Sequence, residues 1–129
     1  MIQPAQGPFS SFVARWKGDG IWQVVQEFTY HHALGYIRIP VGFTSDLDSV
    51  PRIPYVYATV KGRAVKAALV HDKLYACGHI DGVRITRSLA DSVFLDAMKD
   101  EGVAFRHRWA IYLGVRAGGL LAWRRHRKQ

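Results

Sequence analysis

The chain changes character once, near Gly62. Before that point, β-branched and aromatic residues are broken by glycine and proline. After it run three stretches of helical character. A strand-rich half followed by a helix-rich half predicts an α+β fold, a small antiparallel β-sheet packed with three C-terminal helices. The 129 residues suit a single domain over 1–129, with an N-terminal arm over 1–8 and a basic C-terminal tail over 124–129. With 49% apolar and 12% aromatic residues, a chain this long can bury a core without disulfides or structural metal. The lone Cys77 excludes an internal disulfide framework and a zinc knuckle.

In the first half, Phe12 to Trp16 and Ile21 to Tyr30 read as strands. Trp22, Val24, Phe28 and Tyr30 share one face at period two, interrupted by Gln26. Ala33-Leu34-Gly35 turns the chain into a third strand, Tyr36 to Ile39, ending at Pro40. From Gly42 to Pro54, hydroxyl, carboxylate and proline residues predict an extended, turn-rich loop.

In the second half, Arg63 to Ala76 suits a helix terminated by Gly78. Thr86 or Ser88 can cap a helix running to about Lys99 and closed by Gly102. Leu89, Ala90, Val93, Phe94, Ala97 and Met98 line its apolar stripe. The last helix, about Arg106 to Arg125, is apolar on nearly every side, which predicts a central position or cover by a partner, a second copy included. Gly114 and Gly118 would let another backbone approach closely, and the expected use is packing.

The net charge is +8, much of it in Arg124, Arg125, Arg127 and Lys128 beside His126. Such a tail can bind nucleic acid, an anionic membrane surface or an acidic protein. It can equally be a solvated tail that complements the negative end of the preceding helix. The rest of the chain lacks the clustered basic and stacking residues of a nucleic-acid surface. No secretory signal is visible. The longest apolar stretch, Trp109 to Trp123, contains Arg116 and falls short of the roughly 20 residues of a bilayer span. The expectation is a soluble protein made in a cytoplasm, with no transmembrane segment.

Chemistry concentrates on His71 and Asp72, set among apolar neighbours in Ala67 to Tyr75. A histidine and a carboxylate so placed must find partners or carry a desolvation cost. His71 and Tyr75 share a helix face, while Asp72 is rotated about 100° from His71, so the two can line adjoining walls of one cleft. Histidine titrates near neutral pH and can act as general base. A carboxylate can orient it or bind a hard cation such as Ca²⁺ or Mg²⁺. Asp91 on the next helix is the third member, unless Ser88 to Asp91 forms a capping box that uses it locally. The loop adds Asp46, Asp48 and Ser49, which can hold a cation or substrate. Alternatively Asp46 pairs with Arg52, and the serines satisfy loop backbone. The candidate catalytic residues are therefore His71, Asp91 and Tyr75, and the candidate cation ligands Asp72 and Asp46. Thr44, Ser49 and Arg52 form the rest of the loop site. His31 and His32 read as exposed turn residues, His79 as a helix-end residue, and His107 and His126 as solvated.

Val41 to Arg52, Ala68 to Tyr75, and Thr86 to Phe94 ending in Met98 together resemble a phage and prophage family, domain of unknown function 1353. The resemblance spans roughly residues 20 to 120. Asp48 departs from the small residue expected at that position. The resemblance implies a phage setting and no particular reaction. His71-Asp72-x-x-Tyr75 also looks like the helix motif of phospholipases A2. That likeness implies His71 as base, Asp72 as calcium ligand and Asp91 as orienter, although the cysteines and the glycine-rich calcium loop of those enzymes are absent. The His-Asp pair of the HD phosphohydrolases is a further analogy, whose helical fold and additional histidine ligand do not fit.

Two functions follow as expectations. One is a small phage protein acting by protein–protein interaction, a tail, baseplate or accessory component, with a buried Asp/His cluster clamping the loop to the helices. It would be made in the host cytoplasm, with the virion as its destination if it is a structural part. The other is a metal-assisted hydrolase of host envelope lipid or peptidoglycan.

Overall fold

The structure, a computed structural model, describes residues 2–3, 7–18, 21–45 and 64–127. Strands β1 (Ile2–Gln3), β2 (Phe12–Gly18), β3 (Ile21–Gln26) and β6 (Thr44–Ser45) form an antiparallel sheet in the order β1-β2-β3-β6. β4 (Phe28–His32) and β5 (Gly35–Ile39) form a hairpin, and β7 (His79–Ile80) pairs with β8 (Val83–Arg84). Helices α1 (Val65–Cys77), α2 (Arg87–Asp100), α3 (Phe105–Gly118) and α4 (Leu120–Arg127) make up the second half. The fold is α+β, as the change of character at Gly62 predicts.

The single strand expected over 21–30 is two. The chain leaves the first sheet at Glu27 and continues in the β4–β5 hairpin, so Val24 and Phe28 belong to different ladders although both are buried. Segment 8–10 pairs with β4: His31 N–H donates to the Pro8 carbonyl (2.9 Å) and Ser10 N–H to the Thr29 carbonyl (3.0 Å). Part of the stretch read as an N-terminal arm thus belongs to the sheet, and Phe9 stacks on Tyr30 with ring centroids 4.5 Å apart.

Tyr30, Phe28 and Ile39 face a core completed by Val70 and Leu74 of α1 and Ala90, Val93, Phe94, Ala97 and Met98 of α2. The stripe predicted on α2 is buried except for Leu89, which is 36% exposed. Each large side chain sealed there contributes about 1.5–3 kcal/mol of transfer free energy.

Helix ends follow local chemistry. Thr86 rather than Ser88 is the N-cap of α2, its hydroxyl accepting the Leu89 N–H at 3.1 Å. Gly78 ends α1 at φ 74°, its N–H donating to the Leu74 carbonyl. The start of α1 has no capping side chain of its own. The Glu101 carboxylate, beyond the end of α2, takes that role by accepting the N–H groups of Lys66 (3.1 Å) and Ala67 (2.9 Å). Burial raises the Glu101 carboxyl to about 7, against these two hydrogen bonds.

The expected third helix is two, because the chain breaks at Gly119. A Cβ there would meet the Tyr75 hydroxyl at 2.5 Å and the Val115 carbonyl at 2.7 Å. The close approach is therefore made by Gly119, whereas Gly118 has nothing within 4 Å. Beyond the break α4 packs on α1. Trp123 packs edge-on against Tyr75 (5.3 Å), and the Arg127 guanidinium covers Trp123 (4.3 Å) while donating to the carbonyls of Tyr75 and Ala76. Residues 124–127 are accordingly helix rather than tail, and Arg127 closes the carboxyl end of α1. Nor is α3 central. It buries His107, Ile111 and Val115 and leaves Phe105 and Leu113 exposed.

Candidate functional site

The site is built on α1, whose residues Val65 to His71 are all buried. A helix enclosed this completely can carry a polar side chain only if its partners come from neighbouring elements. For His71 that partner is Asp91, with Nε2 and Oδ1 2.7 Å apart. The Tyr75 hydroxyl, one turn along α1, donates to the same oxygen at 2.7 Å. The other oxygen of Asp91 accepts Arg116 Nη1 at 2.8 Å and Arg87 Nη1 at 3.5 Å. Arg87 also donates to the carbonyls of Val115 and Arg116, each at 3.2 Å, which joins α2 to α3.

Asp91 is fully buried and accepts from all four donors. Burial alone would raise its pKa, but the hydrogen bonds from His71, Tyr75 and Arg116 outweigh it and hold the carboxyl below its ordinary value. Burial and then the same carboxylate push the Tyr75 hydroxyl well up, so Tyr75 remains a donor. An ionised carboxylate only accepts, so the His71–Asp91 contact places the imidazole proton on Nε2. In the neutral form of the ring, that tautomer leaves the lone pair on Nδ1. Phe94 and Tyr75 hold the ring in place, with centroids 4.4 and 4.2 Å from it.

His71, Asp72 and Tyr75 lie on the wall of a cavity of about 800 Å³. Ser45 of β6 adds a hydroxyl that donates to the Asp72 carboxylate, and Thr44 lies beside it. Apolar lining comes from Ile21, Phe43, Val115 and Leu121, and Arg125 and His126 of α4 supply a basic side. The cavity thus combines a polar wall, an apolar wall and a cationic edge.

The sequence placed His71, Asp72, Tyr75 and Asp91 together, and the structure brings them together. Asp91 is not used by a capping box. With Thr86 as N-cap it falls in the second turn of α2 and points to α1 instead of the helix start. Thr44 is on the cavity wall, whereas Asp46, Asp48, Ser49, Arg52 and Lys128 lie outside the described residues. Among the described residues no group of three His, Cys, Asp or Glu side chains is arranged to hold a metal ion.

His107, expected to be solvated, is buried because it sits on the inner face of α3, one turn from Ile111. His31 and His32 are strand residues, and His32 reaches Asp96 at 2.8 Å. Sequence reasoning missed Arg87 and Arg116 as partners of Asp91. Arg87 lies four residues before Asp91 on one helix face. Arg116 is the lone charge in an apolar run, and a charge in such a run calls for a partner. Both signals were present.

The family described as Protein of unknown function (DUF1353) matches residues 22–115, which include every element from β3 to nearly the end of α3. The chain belongs to this family. Comparison with the curated proteins and with the solved structures brings no match. The matched span contains His71, Asp72, Tyr75, Arg87 and Asp91 but stops before Arg116 and α4, so the cavity's basic edge lies outside it.

Proposed function

We propose that this protein is a hydrolase in which His71, oriented by Asp91, activates water against an ester held in the cavity. One observation carries the reading: a buried carboxylate fixes the imidazole tautomer on the wall of an open, substrate-sized cavity. In the proposed step, water attacks the ester carbonyl carbon as His71 Nδ1 takes its proton. The tetrahedral intermediate collapses, the C–O bond to the leaving alcohol breaks, and the proton passes from His71 to the leaving oxygen. Acid and alcohol are the products. Asp91 stays ionised throughout and stabilises the transient imidazolium, and Tyr75 and Arg116 keep it in place. A phage or prophage setting, with the host envelope as substrate source, is part of the same proposal.

Thermal unfolding of the wild type, His71→Ala and Asp72→Ala, with and without calcium or magnesium, tests the composition of the site. A cation-dependent rise in Tm that disappears in Asp72→Ala supports a metal-assisted form of the reaction. Cation indifference with retained hydrolysis supports His71 acting without a metal. A large stability loss in both variants with no hydrolysis by the wild type rejects the enzyme and leaves a polar clamp.

A second reading, an interaction module of a phage particle working through other phage proteins, is favoured by a different observation. Phe105 is 66% exposed and Leu121 73% exposed on the outer face of α3 and α4, as on a surface that meets a partner.

A further inference from the structure

Both α3 and α4 expose large apolar side chains where solvated helices would be polar. Along α3 the solvent-facing positions recur every four residues at Phe105, Trp109 and Leu113, and α4 continues with Leu120 and Leu121. Arginines are interleaved with them. Residues 105–127 contain six arginines and two histidines and not one aspartate or glutamate. Three of those arginines are engaged inward: Arg108 donates to the Val103 carbonyl, Arg116 to Asp91, and Arg127 to the end of α1. Arg106, Arg124 and Arg125 remain on the exposed side, and among the described residues no carboxylate pairs with them.

We infer that this face seats the protein on an anionic lipid surface. Exposed aliphatic and aromatic side chains with arginines close by in the same helices are the composition of helices that lie in the bilayer interface. The absence of any carboxylate gives the face a single sign of charge, complementary to phosphate head groups. A second copy of the chain would bring like charge against like charge. Nucleic acid would use the arginines but leave Leu113, Leu120 and Leu121 without a role. No helix among the described residues is long and apolar enough to cross a membrane, which fits helices lying along the surface.

The surface also joins the cavity. Leu121, Arg125 and Ile21 are cavity-lining residues, and Leu121 and Ile21 are exposed at 73% and 38%. A protein seated by α4 therefore presents the cavity to the lipid. This last step rests on the hydrolase reading and names its substrate class as an acyl ester of an anionic lipid.

The test is co-sedimentation with vesicles of phosphatidylglycerol and, separately, of phosphatidylcholine, using the full chain. Wild-type protein is expected to bind phosphatidylglycerol vesicles, with the tryptophan emission shifted to the blue, and to leave phosphatidylcholine vesicles in the supernatant. Leu113→Asp and Leu121→Asp lie at exposed positions and should keep the wild-type Tm while losing binding. Arg124→Ser and Arg125→Ser should each weaken it about fivefold. His71→Ala should bind as wild type does, so failed catalysis and failed docking are separable. The inference is overturned by equal partition onto both vesicle types, or by binding indifferent to the leucine changes. It is overturned equally by a dimer in solution that covers these residues, or by a partner protein or RNA that binds in place of the vesicles.

Discussion

His71 Nε2 and Asp91 Oδ1 stand 2.7 Å apart across two helices, though 20 residues separate them in sequence. Three other side chains share that carboxylate: Tyr75 from the same helix as His71, Arg87 from the helix of Asp91, and Arg116 from α3. The α1–α2–α3 packing is therefore organised around one buried charge. Removing any one donor tests a fold contact and a site contact together.

Asp91→Asn isolates the charge. The folded carboxyl is held below its ordinary value of 3.8, so the unfolded chain binds the proton more readily. Its ionisation contributes stability that is present above pH 3.8 and lost as pH falls through the folded value. The asparagine variant should be less stable at neutral pH and should show a shallower loss on acidification. Urea midpoints measured from pH 7 down to pH 2 check both parts.

Glu101 has the opposite sign. Its carboxyl is raised from 4.5 to about 7, so the folded state holds a proton that the unfolded state has released. Stability should fall as pH rises from 4.5 to about 7, and Glu101→Gln should remove that slope. The two carboxylate oxygens accept the N–H groups of Lys66 and Ala67 separately, whereas glutamine offers a single acceptor oxygen, so part of the cap should be lost as well. Denaturant midpoints at closely spaced pH values give the slope directly.

Gly119→Ala should separate α4 from α1. The added methyl carbon meets the Val115 carbonyl, which cannot swing aside as a side chain end can. Overpacking of this kind costs about 1–3 kcal/mol. The Tm should drop, and Trp123, freed from Tyr75, should become easier to quench with iodide.

Much of this arrangement was legible in the sequence. The apolar stripe of α2 and the terminators Gly78 and Gly102 follow from local rules. The His71, Tyr75 and Asp91 cluster follows from helix spacing and the cost of burying polar groups. What stayed hidden depends on tertiary contact. Nothing local marks Glu101 as the cap of α1, since the acceptor lies more than thirty residues from the donors it satisfies. The break at Gly119 depends on Tyr75 occupying the space a Cβ would need. Between Ile21 and Tyr30 the alternation is interrupted at Gln26 and resumes in phase at Phe28, so a break of one residue reads as a blemish in one strand and not as the change of sheet at Glu27.

Tyr75→Phe should distinguish positioning from catalysis. The ring contacts with His71 and Trp123 remain, while the hydroxyl's bond to Asp91 and its interaction with the Arg87 guanidinium are lost. A stability loss of about 1 kcal/mol is expected. Hydrolysis should fall less than in His71→Ala, with a change in kcat larger than any change in KM.

The central claim is that Asp91 holds His71 as a base. Its most direct measurement is the rate of fatty-acid release from phosphatidylglycerol by purified wild-type chain and by His71→Gln, matched for circular dichroism. Hydrolysis by the wild type, reduced about 100-fold or more in the variant, is the predicted result. No release by the wild type, or equal release by both proteins, contradicts it.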